Sequence, residues 1–201
     1  MKKKSSRSRQ PRGRSRKLSR PSVSTDSPNV CQSDDIACIV SSLVQRLATD
    51  QAYEDLSQSI ASKRVRVHLA IMIEPYLSYI LSGTKTIESR FSVNRCAPHG
   101  AVSEGDIILF KASGGPVTGI ARASWVDSLD LNRATWKKIR TQYVSELRVS
   151  EDFLEAKRDA SYATFIGVAD VRAIDPLVVT KRDRRGWVVL AENPFQCSLL
   201  A

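Results

Sequence analysis

Lys85, Glu88 and Arg90 fall within six residues in the stretch Gly83-Thr-Lys-Thr-Ile-Glu-Ser-Arg90. Two cations and a carboxylate this close are costly to remove from water unless they pair or meet a ligand. The apolar Ile87 and Phe91 interleave with them, so the segment is expected to reach into a core. A strand over Thr86 to Phe91 places Glu88 and Arg90 on one face and Ile87 on the other. Gly83 then ends the helix-like run Tyr76-Leu-Ser-Tyr-Ile-Leu81, and Lys85 sits at the turn into the strand. The residue types define the chemistry on offer. Arg90 can grip a phosphate or carbonyl with a planar fork. Lys85 can act as a point charge or, once desolvated, as a nucleophile or proton carrier. Glu88 can accept from a base edge or orient Lys85. The competing reading is an ion-pair set at the mouth of a small barrel.

A second cluster is Lys181-Arg-Asp-Arg-Arg-Gly-Trp187. Lys181, Arg182, Arg184 and Arg185 surround one aspartate and precede a tryptophan, a pattern that suits single-stranded nucleic acid. The same residues also suit a hairpin turn with solvated charges, and the apolar run Gly186-Trp-Val-Val-Leu190 favours burial of Trp187. Trp125 and Trp136 each sit inside an apolar periodicity and read as core. Cys31, Cys38, Cys96 and Cys197 form no Cys-x-x-Cys pair. Cys96-Ala-Pro-His99 is at most half of a metal site, so no metal and no cofactor is expected.

Elements must hold these groups in place. Ser33 to Ser62 carries apolar residues at three- and four-residue steps, from Ile36 through Leu47 and on to Ile60, which predicts one bent helix or a helix pair. Arg66 to Ile73 alternates as a strand. Pro75 opens the helix that ends at Gly83. Asp106 to Lys111 and Val117 to Val126 are strands joined by the Gly114-Gly115-Pro116 turn. Leu131 to Leu147 is helical, Glu151 to Lys157 is a short helix, and Tyr162 to Ile174 and Arg185 to Leu190 complete the strands. Short strands broken by helices predict an α+β fold on a small mixed β-barrel with flanking helices.

The chain has 201 residues with 42% hydrophobic content, enough for one domain with a core plus extra segments. Its net charge of +10 is uneven. Residues 1–30 hold ten of the 31 cations and one of the 21 acids, which leaves 21 against 20 in the rest. Residues 1–30 are expected to be a disordered basic arm able to touch polyanions or serve as an import signal. The division expected is arm 1–30, helical segment 31–64, main domain 65–192 and tail 193–201. No run approaches the ~20 apolar residues that span a bilayer, and no apolar stretch follows the basic start. An intracellular location is expected, cytoplasmic or, in a eukaryote, nuclear.

The Gly83 to Arg90 motif resembles the signature of the ASCH domain, a relative of the PUA RNA-binding fold. Glu104-Gly-Asp-Ile-Ile-Leu-Phe110 resembles that family's Gly-Asp turn into a barrel strand, and Pro116-Val-Thr-Gly-Ile-Ala-Arg-Ala123 resembles the returning strand. The resemblance covers roughly residues 66–190. It implies a PUA-like barrel, with Gly83, Lys85, Thr86, Glu88 and Arg90 around a cleft for RNA or a nucleotide-like ligand. One branch of the family hydrolyses the acetyl amide of modified cytidine nucleosides. That branch implies Lys85 as its lysine and Glu146 as its helix-borne glutamate. It has threonine where this chain has Glu88, and that departure ranks binding ahead of catalysis.

Overall fold

The computed structural model describes residues 30–31, 36–49, 51–62, 64–179 and 184–191. The arm up to residue 29, Lys181, Arg182 and the tail from 192 lie outside the described residues. The elements run β1 (Val30–Cys31), α1 (Ile36–Leu47), α2 (Glu54–Ala61), β2 (Val67–Met72), α3 (Tyr76–Leu81), β3 (Ile87–Ser92), β4 (Ile107–Ala112) and β5 (Val117–Asp130). Then follow α4 (Arg133–Lys138), a π turn (Ile139–Tyr143), α5 (Val144–Leu147), α6 (Glu151–Glu155), β6 (Tyr162–Val179) and β7 (Trp187–Ala191). The expected helix over 131–147 is thus one rod with a π turn in its middle. The expected segment 31–64 is a helix pair. Val30, placed in the arm by composition, instead pairs with Val178 at the end of β6.

β6 organises the sheet because it is long, β-branched and aromatic, so it can pair along both edges. It runs antiparallel to β5 and to β3. The sheet continues β5, β4, β2, β7, with β2 parallel to β4 and antiparallel to β7. The result is a half-barrel that ends in β7 on one side and in β3 and the short β1, both on β6, on the other. Gly167 shows how close the packing is: a Cβ there would lie 2.1 Å from Trp125 Nε1 on the facing strand.

The alternation in β2 resolves into two cores. Val67 and Leu69 pack with Leu43, Leu56 and Ile60 of the helix pair, so the amphipathic face of α1 and α2 covers one side of the sheet. Ala70 and Met72 face the other way, onto Leu77, Ile80, Phe110 and Trp187. β2 is therefore buried on both faces, as a strand inside a barrel must be. A third core seats α4 to α6 on β3 and β6 through Ile87, Ile139, Leu147, Leu154 and Phe165. This third core carries the helical wall of the site.

Candidate functional site

Gly83 turns the chain from α3 into β3. Its φ of +72° suits a residue without Cβ, and its N–H closes on Ile80 O at 2.9 Å. Gly83 and Thr86 are exposed and do not line the cleft; Thr86 contributes its carbonyl, which accepts from Val168 N at 2.9 Å. Lys85 N is tied to Tyr79 O at 2.9 Å, which points its side chain inward.

Lys85 is only 2% exposed. Its Nζ donates to Ile87 O at 2.5 Å and Leu147 O at 2.8 Å, and lies 3.9 Å from Glu88 Oε2. Burial holds its pKa below the usual 10.5; Glu88 opposes that shift and Arg90 adds to it. Glu88 is 4% exposed, with Oε1 at 2.9 Å from Arg90 Nε. That approach is an ion pair without hydrogen-bond alignment, since Arg90 Nε is buried with no aligned acceptor. Among the described residues, Glu88 accepts no hydrogen bond from a protein donor.

Arg90 spans the seam of the half-barrel. From β3 it donates through Nη1 to Gly186 O at 3.2 Å and through Nη2 to Ile71 O at 3.0 Å, and its guanidinium lies 5.3 Å from the Trp187 ring centroid. Gly186 precedes β7 and Ile71 is in β2, so this side chain bridges edges that no ladder joins. The fork read as a phosphate grip is largely engaged with main-chain carbonyls.

Above these groups lies a cleft of about 210 Å³. Lys85, Glu88, Ser89 and Arg90 line it from the strand side; Ile71, Met72, Ile73, Tyr76, Phe91, Val149 and Phe153 give it apolar walls, and Lys157 adds a cation. Sequence reasoning missed Tyr76, Phe153 and Lys157. Phe153 and Lys157 are four residues apart, a spacing that brings two side chains together on one helical face, and Lys157 Nζ lies 5.5 Å from the Phe153 ring centroid.

Glu146 does not reach the cleft. It is exposed on α5, and the neighbouring Leu147 carbonyl is what meets Lys85. Arg184 and Arg185 are exposed and border a different groove beside Lys111 and the Gly114–Pro116 turn. Trp187 is 3% exposed and donates from Nε1 to His68 Nδ1 at 3.2 Å, so it is core and no stacking platform. Cys96 is an exposed free thiol, and no metal-holding group of side chains occurs among the described residues. No helix among them is long and apolar enough to cross a membrane.

No family model matches the chain, and no curated protein matches it. Solved structures are similar to it in fold. The ASCH protein of Zymomonas mobilis superposes with a TM-score of 0.52 at 18% identity, covering 68% of this chain and 94% of that one. Two single-residue variants of the same protein give 0.50 at 17% identity over 66% of this chain, and 0.52 at 16% identity over 68%; each is covered to 96%. The half-barrel with its flanking helices is therefore an α+β fold, and it is the fold of the ASCH protein of Zymomonas mobilis.

Proposed function

We propose that this chain is an RNA- or nucleotide-binding module whose cleft takes a nucleobase. The observation that carries this reading is Glu88: a carboxylate buried to 4% exposure, flanked by two cations, accepting no hydrogen bond among the described residues and open to an apolar, aromatic-walled cleft. A buried polar group without partners costs free energy, and a ligand that supplies N–H donors would recover it. Base edges carry such donors on ring and exocyclic nitrogens. Tyr76, Phe91 and Phe153 supply the apolar surface that a flat base needs. Lys85 and Arg90 flank Glu88 and are themselves held by carbonyls, so the floor is set before the ligand arrives. The general kinship of the fold with PUA-like RNA-binding modules supports the same ligand class.

Calorimetric titration with the four ribonucleoside monophosphates tests this. We expect at least one to bind, and Phe153→Ala to weaken it by roughly tenfold. Equal and negligible heats for all four would remove the reading.

A second reading, hydrolysis of an acetylated cytidine by Lys85, draws on the lowered pKa of that lysine. Two carbonyls already accept hydrogen bonds from Nζ, Glu88 favours the charged amine, and Glu146 stands outside the cleft. We expect no turnover of acetylcytidine. Turnover lost in a folded Lys85→Met variant would restore the hydrolase reading.

A further inference from the structure

A groove of about 660 Å³ lies on the far side of α6 from the cleft, and its charge is not used by anything described so far. Arg133, Lys137, Arg140 and Arg158 line it against one carboxylate, Glu155. Arg133, Lys137 and Arg140 follow at helical steps of four and three, so they share a face. Arg140 pairs with Glu151 at 2.8 Å, and Arg158 with Glu155 at 3.0 Å and Asp159 at 3.8 Å. Arg133 and Lys137 have no carboxylate partner among the described residues.

The groove and the cleft share a wall. Along α6 and just beyond it, consecutive residues face opposite ways: Phe153 lines the cleft and Leu154 the groove, then Lys157 the cleft and Arg158 the groove. Phe91 of the cleft stacks on Trp136 of the groove, with ring centroids 5.7 Å apart and planes 8° from parallel. Arg140 lies 5.7 Å from the Trp136 ring centroid, so Trp136 already has ring and cation neighbours. The groove therefore offers point charges and no open aromatic platform. Such a surface fits phosphates.

We infer that this groove is a phosphate track for a single nucleic-acid strand whose base sits in the cleft. The strand would cross α6 past Lys157 and lay successive phosphates on Arg158, Arg140, Lys137 and Arg133. This rests on the cleft reading above and extends it: the ligand is an oligonucleotide rather than a free nucleoside.

The test compares the full chain with its Arg133→Ala/Lys137→Ala/Arg158→Ala variant, using a fluorescein-labelled RNA 12-mer of mixed sequence and the four nucleoside monophosphates. Each phosphate contact on a single strand contributes about 0.7 to the slope of log K against log salt. Losing three should make the slope shallower by about two and weaken 12-mer binding roughly tenfold to a hundredfold at low salt. Arg95→Ala, an exposed cation outside the groove, should leave the slope unchanged, and monophosphate binding should be the same in all three proteins. Parallel slopes for parent and triple variant overturn the track, even with monophosphates bound in the cleft. A shallower slope in the triple variant alone, with no monophosphate bound to any of the three, upholds the track and rejects the cleft reading.

Discussion

Two buried ionic clusters sit on either side of Trp187, and they are built on opposite plans. In the first, Asp106 and His68 are fully buried and closed. Asp106 accepts from Arg66 N at 2.9 Å and Ser103 N at 2.7 Å. The Trp187 indole can only donate, so His68 Nδ1 is the acceptor, and Nε2 carries the proton toward Asp106 Oδ2 at 3.1 Å. In the second, Glu88 has cations at both oxygens, no hydrogen bond from a donor among the described residues and an opening to the cleft. In sequence the Gly83 to Arg90 motif reads as a candidate site, and Glu104-Gly-Asp106 reads only as a turn into a barrel strand. Burial of charge alone does not mark a site. A closed cluster holds the fold, and an open one leaves capacity for a ligand.

The closed cluster should give the largest effect. Asp106→Ala strands two backbone N–H groups and the His68 ring, and should cost about 3–5 kcal/mol in urea unfolding. A cost below about 1 kcal/mol would erase the contrast. Lys85→Met comes next, at about 2–3 kcal/mol, because two buried carbonyls lose their donor. The folded lysine binds its proton more weakly than the unfolded one. Stability from this group therefore rises with pH between the depressed folded value and 10.5. The gap between parent and Lys85→Met should widen across that window and stay flat below it.

Arg90→Lys should be smaller, about 1–2 kcal/mol, since a point charge cannot bridge Gly186 and Ile71 as a fork does. Its signature is local: faster amide exchange at the facing edges of β3 and β7 than elsewhere in the sheet. The smallest effect belongs to a third, solvent-near cluster. Asp127 Oδ2 accepts from Tyr143 OH at 2.9 Å and Lys138 Nζ at 3.0 Å. Burial, then the hydrogen bond to Asp127, pushes the Tyr143 phenol above 10.0. What it adds to stability is present below pH 10.0 and lost as pH rises through the folded value. An absorbance titration should show one late phenol that disappears in Tyr143→Phe.

Much of this arrangement was legible in sequence because it is local. β3 follows from alternation between Ile87 and Arg90, Gly83 from the end of an apolar run, and burial of Trp187 from its apolar neighbours. The fold class followed from strand and helix patterns together with the ASCH-like motifs. What was not legible is long-range. The reach of Arg90 to Gly186 crosses 96 residues, and that of Lys85 to Leu147 crosses 62, so neither leaves a periodic trace. The resemblance implies Glu146 as the helix-borne glutamate, whereas the lysine takes the next residue's carbonyl, which has no sequence signal. Glu151 to Lys157 reads in sequence as a short helix, and only the packing of α6 on β3 and β6 makes its Phe153 side a cleft wall. Arg133, Lys137 and Arg158 come from two separate segments, so the groove they line leaves no local pattern.

The central claim is that Glu88 is an open acceptor for a base. It is tested most directly by calorimetric titration of parent and Glu88→Gln with the monophosphate that binds the parent best. Glutamine keeps the size and one acceptor oxygen but loses the charge. Glu88→Gln should lose affinity for that base roughly tenfold or more and change the order among the four, while staying folded by circular dichroism. Equal affinity and an unchanged order in a folded Glu88→Gln protein would contradict it.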